Sequence, residues 1–95
     1  MSKVILKGHI IVPSSELPLV KEALNIHIAL TREEAGCLIF NVIQNADNSQ
    51  RFDVYEEYIN KIAFESHQAR VKQSPWGELT VNVERHYQIV ETANE

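Results

Sequence analysis

Apolar and polar positions alternate through residues 3–12 (KVILKGHIIV). Val4, Leu6, Gly8, Ile10 and Val12 fall on one face, and Ile5, Lys7, His9 and Ile11 on the other. A period of two in a β-branched run predicts a strand. Pro13 cannot donate to a ladder and ends it. The period then changes. Leu17, Val20, Leu24, His27, Ile28 and Thr31 form a stripe with helical spacing, with Ser14 or Ser15 as the expected cap and Pro18 tolerated in the first turn. Gly36 is expected to close this helix in the left-handed conformation.

Residues 37–45 (CLIFNVIQN) return to strand character, with Leu38, Phe40 and Val42 on one side. Ala46–Asp47–Asn48–Ser49–Gln50 is turn chemistry, and residues 51–59 (RFDVYEEYI) pair back as the third strand. Asn60 is a good N-cap for a second helix over about 61–73, whose apolar face carries Ala63, Phe64, His67 and Val71. Ser74–Pro75–Trp76–Gly77 is expected to break it. Residues 79–90 read as the last strand, with Val81, Val83, Arg85, Tyr87 and Ile89 on one face, followed by the polar tail ETANE.

The order β-α-β-β-α-β predicts an α+β, ferredoxin-like domain with both helices on one face of a four-stranded antiparallel sheet. The opposite face would carry Ile5, Ile11, Ile39, Ile43, Tyr55 and Ile59. That is too apolar for open water, so two sheets are expected to pack face to face in a homodimer.

Composition narrows the function. Ninety-five residues suit a single domain over 1–95. A net charge of -4 without a basic run argues against nucleic acid. The N-terminal apolar runs are too short and too polar for a signal or a membrane span, and a lone cysteine, Cys37, fits a reducing compartment. A cytoplasmic protein is the expectation. The sequence has no dinucleotide or phosphate loop and no metal-ligand spacing, so neither cofactor nor metal is expected.

The candidate chemistry lies between helix and sheet. His67 projects from the second helix toward the strands, and its ordinary pKa suits a general base near neutral pH. His27, in the first helix's apolar stripe, can line the same cavity. Glu56 and Tyr58 share a strand face, so Glu56 is a partly buried carboxylate that needs a partner, such as Arg85, or a proton. Phe40, Phe64, Tyr58 and Trp76 suit the core and also a flat aromatic substrate, and Asn41 is a candidate for stabilising charge. Arg32, Glu33 and Glu34 read as a solvated helix end, and His9 and His86 as ordinary surface or interface residues. Cys37 reads as a small core residue.

Taken in order, NIHIALTREEAGC, YEEYINKIAFESHQARV, SPWG and the closing RHYQIV resemble the antibiotic biosynthesis monooxygenase family. The most specific parts are the helix end Glu34 to Cys37 and the run holding Glu56, Tyr58, Asn60 and His67. The resemblance implies a ferredoxin-like subunit in a dimeric α+β barrel. It also implies cofactor-independent oxygenation of a hydroquinone or phenolic substrate by molecular oxygen. Many members carry a second histidine shortly after the helical one; here Ala69–Arg70–Val71–Lys72 stands in that place. Relatives with other reactions keep two alternatives open: isomerisation of a small oxygenated metabolite, and non-enzymatic ligand binding by a dimeric domain.

Overall fold

The alternation in residues 3–12 becomes an inner strand of the sheet, with Val4, Leu6, Ile10 and Val12 buried. The computed structural model describes residues 3–92. Its elements are β1 (Val4–Ile11), a 3-10 turn (Ser14–Glu16), α1 (Leu17–Arg32), β2 (Cys37–Gln44), β3 (Arg51–Tyr58), α2 (Lys61–Gln73), α3 (Pro75–Leu79) and β4 (Glu84–Glu91). The strands form one antiparallel sheet in the order β2-β3-β1-β4. This is the α+β, ferredoxin-like arrangement that the periodicity predicts.

One face of the sheet meets the helices. Leu6, Ile10, Phe52 and Val54 from the strands close on Val20 and Leu24 of α1, with Val83 at the margin. The buried positions of α1 are Val20, Leu24, His27 and Thr31, as the stripe requires. The other face holds Ile5, Ile11 and Ile39 half-buried and Ile43 exposed, beside a stacked pair formed by His9 and His86. No helix among the described residues is long and apolar enough to cross a membrane.

Several local expectations need correction. Neither Ser14 nor Ser15 caps α1 with its side chain; the 3-10 turn leads into the helix instead. Gly36 has no left-handed backbone. Its role is close packing, because a Cβ there would stand 2.3 Å from the Cβ of Ala63. Leu38 is exposed, beside the register irregularity between Cys37 and Ile39.

Residues 74–77 do not simply break the helix. Ser74 Oγ accepts from the Gly77 N–H at 3.2 Å, and Pro75 occupies a first-turn position where its missing N–H costs nothing. A third helix, α3, therefore forms where a loop was expected. The last strand consequently begins at Glu84 rather than 79, with Val81 exposed and Val83 in the core. Glu91 extends β4, and the Thr92 N–H donates to the Lys3 carbonyl at 2.8 Å. The remainder of the expected polar tail, residues 93–95, lies outside the described residues, as do residues 1 and 2 of the N-terminal run.

Gly36→Ala is expected to lower stability by about 1–3 kcal/mol, the usual cost of overpacking a close contact. Urea denaturation checks this, and an unchanged midpoint would contradict the Gly36–Ala63 packing.

Candidate active site

The site begins with the Asn60 cap. Asn60 Oδ1 accepts from the Ala63 N–H at 2.8 Å and sets the start of α2. Two turns on, His67 faces the sheet and is buried. Beneath it, alternation along β3 turns Phe52, Val54, Glu56 and Tyr58 inward, so a carboxyl group at Glu56 is only 5% exposed. His67 Nε2 stands 4.0 Å from Glu56 Oε1. The opposite ring nitrogen, Nδ1, lies 3.0 Å from Glu34 Oε1. Glu34 accepts, so Nδ1 carries the hydrogen and the Nε2 lone pair faces Glu56.

Both inner groups are held from behind. Tyr58 donates to Glu56 Oε1 at 2.7 Å. Arg70 Nε donates to Glu34 Oε2 at 2.5 Å, and its Nη2 donates to the buried hydroxyl of Thr31 at 2.9 Å. The row Arg70–Glu34–His67 therefore fixes the imidazole from the α1 end, while Tyr58 fixes the carboxyl from the strand. Glu34 is thus no solvated helix end.

Burial sets the protonation states. It pushes the Glu56 carboxyl up to about 7, against the pull of the Tyr58 hydrogen bond, and Glu34 adds repulsion. Burial lowers the pKa of His67, with the Glu34 hydrogen bond acting in the other direction. Burial also pulls His27 down to about 3, with His67, Arg70 and Arg85 adding to the effect. His27 is therefore a neutral ring at neutral pH, and its buried Nδ1 has no hydrogen-bond partner. The Tyr58 hydroxyl is held well above its ordinary pKa by burial and by Glu56.

These groups open into a cleft of about 240 Å³, whose lining includes Glu56, His67, His27, Trp76, Arg85 and Tyr87. The Trp76 indole stacks on His27 with centroids 4.6 Å apart and planes 8° from parallel. The α3 helix that sequence reasoning missed is what brings Trp76 there. Burial pushes the Tyr87 hydroxyl up to about 12, with Glu56 adding to the shift. Among the described residues, no three His, Cys, Asp or Glu side chains converge as a metal-ligand set.

Of the residues singled out from sequence, His67, His27, Glu56 and Trp76 meet in the cleft. Phe40 is buried beside both histidines, with centroids 5.5 Å from His27 and 5.9 Å from His67. Tyr58 is fully buried behind Glu56, and Phe64 packs edge-on against it at 5.5 Å. Neither lines the cleft. Asn41 is exposed and accepts from Arg32 Nη2 at 3.3 Å, because alternation turns it away from the Phe40 side. Cys37 Sγ lies 3.7 Å from the Ile39 carbonyl, and burial raises its pKa, so it is no activated thiolate. Arg85 lines the cleft but does not pair with Glu56 as expected; it donates to Thr80 and Val83 oxygens instead. Glu34, Arg70 and Tyr87 were missed as site residues. The strand face that Tyr87 shares with Arg85 was a usable signal for it. Glu34 and Arg70 gave none, because their pairing joins residues 36 apart in sequence.

The fold and cleft define a small ferredoxin-like α+β domain with a titratable pair between helix and sheet. The family profile described as "Antibiotic biosynthesis monooxygenase" matches residues 10–75, and the chain belongs to that family. The matched stretch includes His27, Glu34, Glu56 and His67 and stops before Trp76 and β4. No curated protein matches the sequence. Among solved structures, the chain is similar to a Nitrosomonas europaea protein provisionally named an antibiotic biosynthesis monooxygenase. That likeness has 20% identity and a TM-score of 0.73, covering 98% of this chain and 89% of the other. A conserved protein of unknown function from Bacteroides thetaiotaomicron gives 16% identity and a TM-score of 0.75, covering 96% and 98%. PA3566 from Pseudomonas aeruginosa gives 18% and 0.72, covering 100% and 96%. At these identities the likenesses establish the fold.

A raised carboxyl pKa has a definite consequence for stability. Below pH 4.5 Glu56 is protonated in folded and unfolded chains alike, and its burial carries no ionisation cost. Between 4.5 and about 7 the unfolded chain ionises while the folded one resists, so stability falls as pH rises. Above 7 the accumulated cost is about 3 kcal/mol. Glu56→Gln keeps the Tyr58 acceptor and removes the charge. Its melting temperature is expected to exceed that of the wild type at pH 8 and to match it near pH 4.5. A gain independent of pH would contradict the buried-carboxyl account.

Proposed function

We propose that the protein is a cofactor-independent monooxygenase that oxidises a hydroquinone or related phenol with molecular oxygen. The observation that carries this reading is the 4.0 Å spacing of His67 Nε2 and Glu56 Oε1 in an aromatic-walled cleft. A substrate hydroxyl placed between them can lie about 2.8 Å from both atoms. His67 takes the phenolic proton at Nε2, and Glu34 offsets the charge that forms on the ring. The phenolate gives one electron to O₂, and the aryloxyl radical and superoxide combine to form a carbon–oxygen bond. The peroxide anion takes the proton back from the imidazolium; His67 Nε2 then removes the hydrogen from the oxygenated ring carbon as the O–O bond breaks, and the departing hydroxide takes that proton and leaves as water. Hydroquinone plus O₂ thus gives hydroxyquinone plus water, and the electrons come from the substrate. Trp76 and His27 form a flat wall for its ring, and the neutral His27 adds no charge to compete with His67 for the proton.

The spacing of His67 and Glu56 also suits proton transfer without oxygen, which keeps isomerisation of a small oxygenated metabolite as a second reading. Oxygen consumption separates the two. With a hydroquinone panel, uptake above autoxidation is expected, and His67→Ala should lower it by about a hundred-fold or more, the usual contribution of a general base. Turnover of substrate without oxygen uptake would favour the isomerase, and unaltered uptake in the variant would remove His67 from the chemistry.

The working unit in this reading is a homodimer with sheets face to face. Its support is the row of isoleucines on the face away from the helices, where Ile43 is 66% exposed. The single cysteine suits a cytoplasmic setting. Sedimentation should give twice the chain mass for the wild type and a shift toward monomer for Ile43→Asp. A monomeric wild type would exclude this assembly.

A further inference from the structure

The cleft has a charged wall that the proposed chemistry leaves unused. Arg85, on β4, lines it opposite the α2 side chains and lies beyond the stretch matched by the family profile. Its guanidinium is anchored. Nη1 donates to the carbonyls of Thr80 at 3.1 Å and Val83 at 3.3 Å, and Nη2 donates to Thr80 Oγ1 at 2.8 Å. Thr80 in turn donates to the Trp76 carbonyl at 2.6 Å. The cation is thereby fixed to the same short segment that carries the aromatic wall. All three of its acceptors are neutral. Among the described residues no carboxylate lies within ion-pairing distance of it, whereas Arg51 and Arg70 each have one. Of the five guanidinium N–H donors, three are engaged by these oxygens, and the neutral Tyr87 hydroxyl on the same wall also hydrogen-bonds the guanidinium, which leaves one donor beside it. Anchored donors with uncompensated charge suit a planar oxyanion.

We propose that Arg85 is the specificity-determining residue of this cleft and that it binds an oxyanion, carboxylate or phenolate, carried by an aromatic ligand whose ring lies against Trp76. The inference rests on the reading of the cleft as a substrate site and narrows that substrate to an acidic aromatic. Tyr87, the next inward residue of β4, lines the same wall. A neutral ring of the same size fills the aromatic wall but leaves the guanidinium without its partner.

Trp76 is the only tryptophan, so its fluorescence reports occupancy. The probes are 4-hydroxybenzoate, its neutral isostere 4-hydroxybenzamide, and 4-nitrophenol titrated through its own ionisation. The wild type is expected to prefer at least one anionic form over the amide by about ten-fold or more, the scale of one charge-assisted contact. Arg85→Gln should lose that preference while keeping the amide affinity. Arg85→Lys, which restores charge without the fork, should recover part of it. Preference for benzoate alone assigns the oxyanion to a ring carboxylate, and preference for nitrophenolate alone assigns it to an ionised hydroxyl. Acid and amide binding alike in the wild type, or a preference that survives Arg85→Gln, would overturn the proposal. If the glutamine variant unfolds, the wild-type Arg85 Nε–H resonance decides: it should shift on adding 4-hydroxybenzoate, and an unmoved resonance at saturation overturns the assignment. Arg85-dependent binding in a protein that consumes no oxygen would sustain the oxyanion site and defeat the monooxygenase reading. Oxygen uptake with no Arg85-dependent binding would do the reverse.

Discussion

The structure turns on one costly arrangement, a carboxyl group buried on the helix-facing side of the sheet with a histidine held above it. A carboxylate in such a place is unfavourable unless it is paired or takes a proton. Glu56 has a single direct hydrogen bond, from Tyr58, and sits 4.0 Å from His67. The chain resolves this conflict by letting the Glu56 pKa rise toward neutrality. His67 stays a base because burial disfavours its charged form while Glu34 keeps its hydrogen on the far nitrogen. Two groups with displaced titrations thus face one small space, which is the arrangement that acid–base chemistry near neutral pH requires.

The remainder of the fold supports that pair from several directions. The Asn60 cap and the Gly36–Ala63 contact set where α2 lies on the sheet. Arg70 donates to both Glu34 and the Thr31 hydroxyl, tying the ends of both long helices together. The short helix α3 closes the cleft with Trp76, and through Thr80 it fixes Arg85 on the neighbouring strand. Because α1 and α2 lie over β2 and β3, β4 is exposed along its length and the cleft is open on that side. The stacked His27 and Trp76 rings give the cleft a flat aromatic surface.

Much of this was legible in the sequence, because periodicity encodes burial. The period-two runs of β1, β2 and β3 and the stripe of α1 gave the order of strands and long helices and the sheet, and the Asn60 cap with the apolar face of α2 put His67 over the strand that carries Glu56. The errors arose where a local signal competed with packing. Gly36 looked like a left-handed cap, yet its missing side chain serves a contact with a residue 27 positions away. Ser74 and Pro75 looked like a break, yet the same two residues start a helix once Ser74 turns its hydroxyl to Gly77. Asn41 was placed with the site on chemistry alone, against the alternation that turns it outward. Glu34 looked solvated, because its partners come from the second helix and no local pattern announces them.

The central claim is that Glu56 carries its proton into the neutral range. The most direct measurement is a titration of its side-chain carboxyl carbon by NMR in the intact protein, assigned with Glu56→Gln. A midpoint near 7 is predicted, the value to which burial raises the group. A midpoint near 4.5, the ordinary carboxyl value, would show a solvated carboxylate and contradict the account of the site.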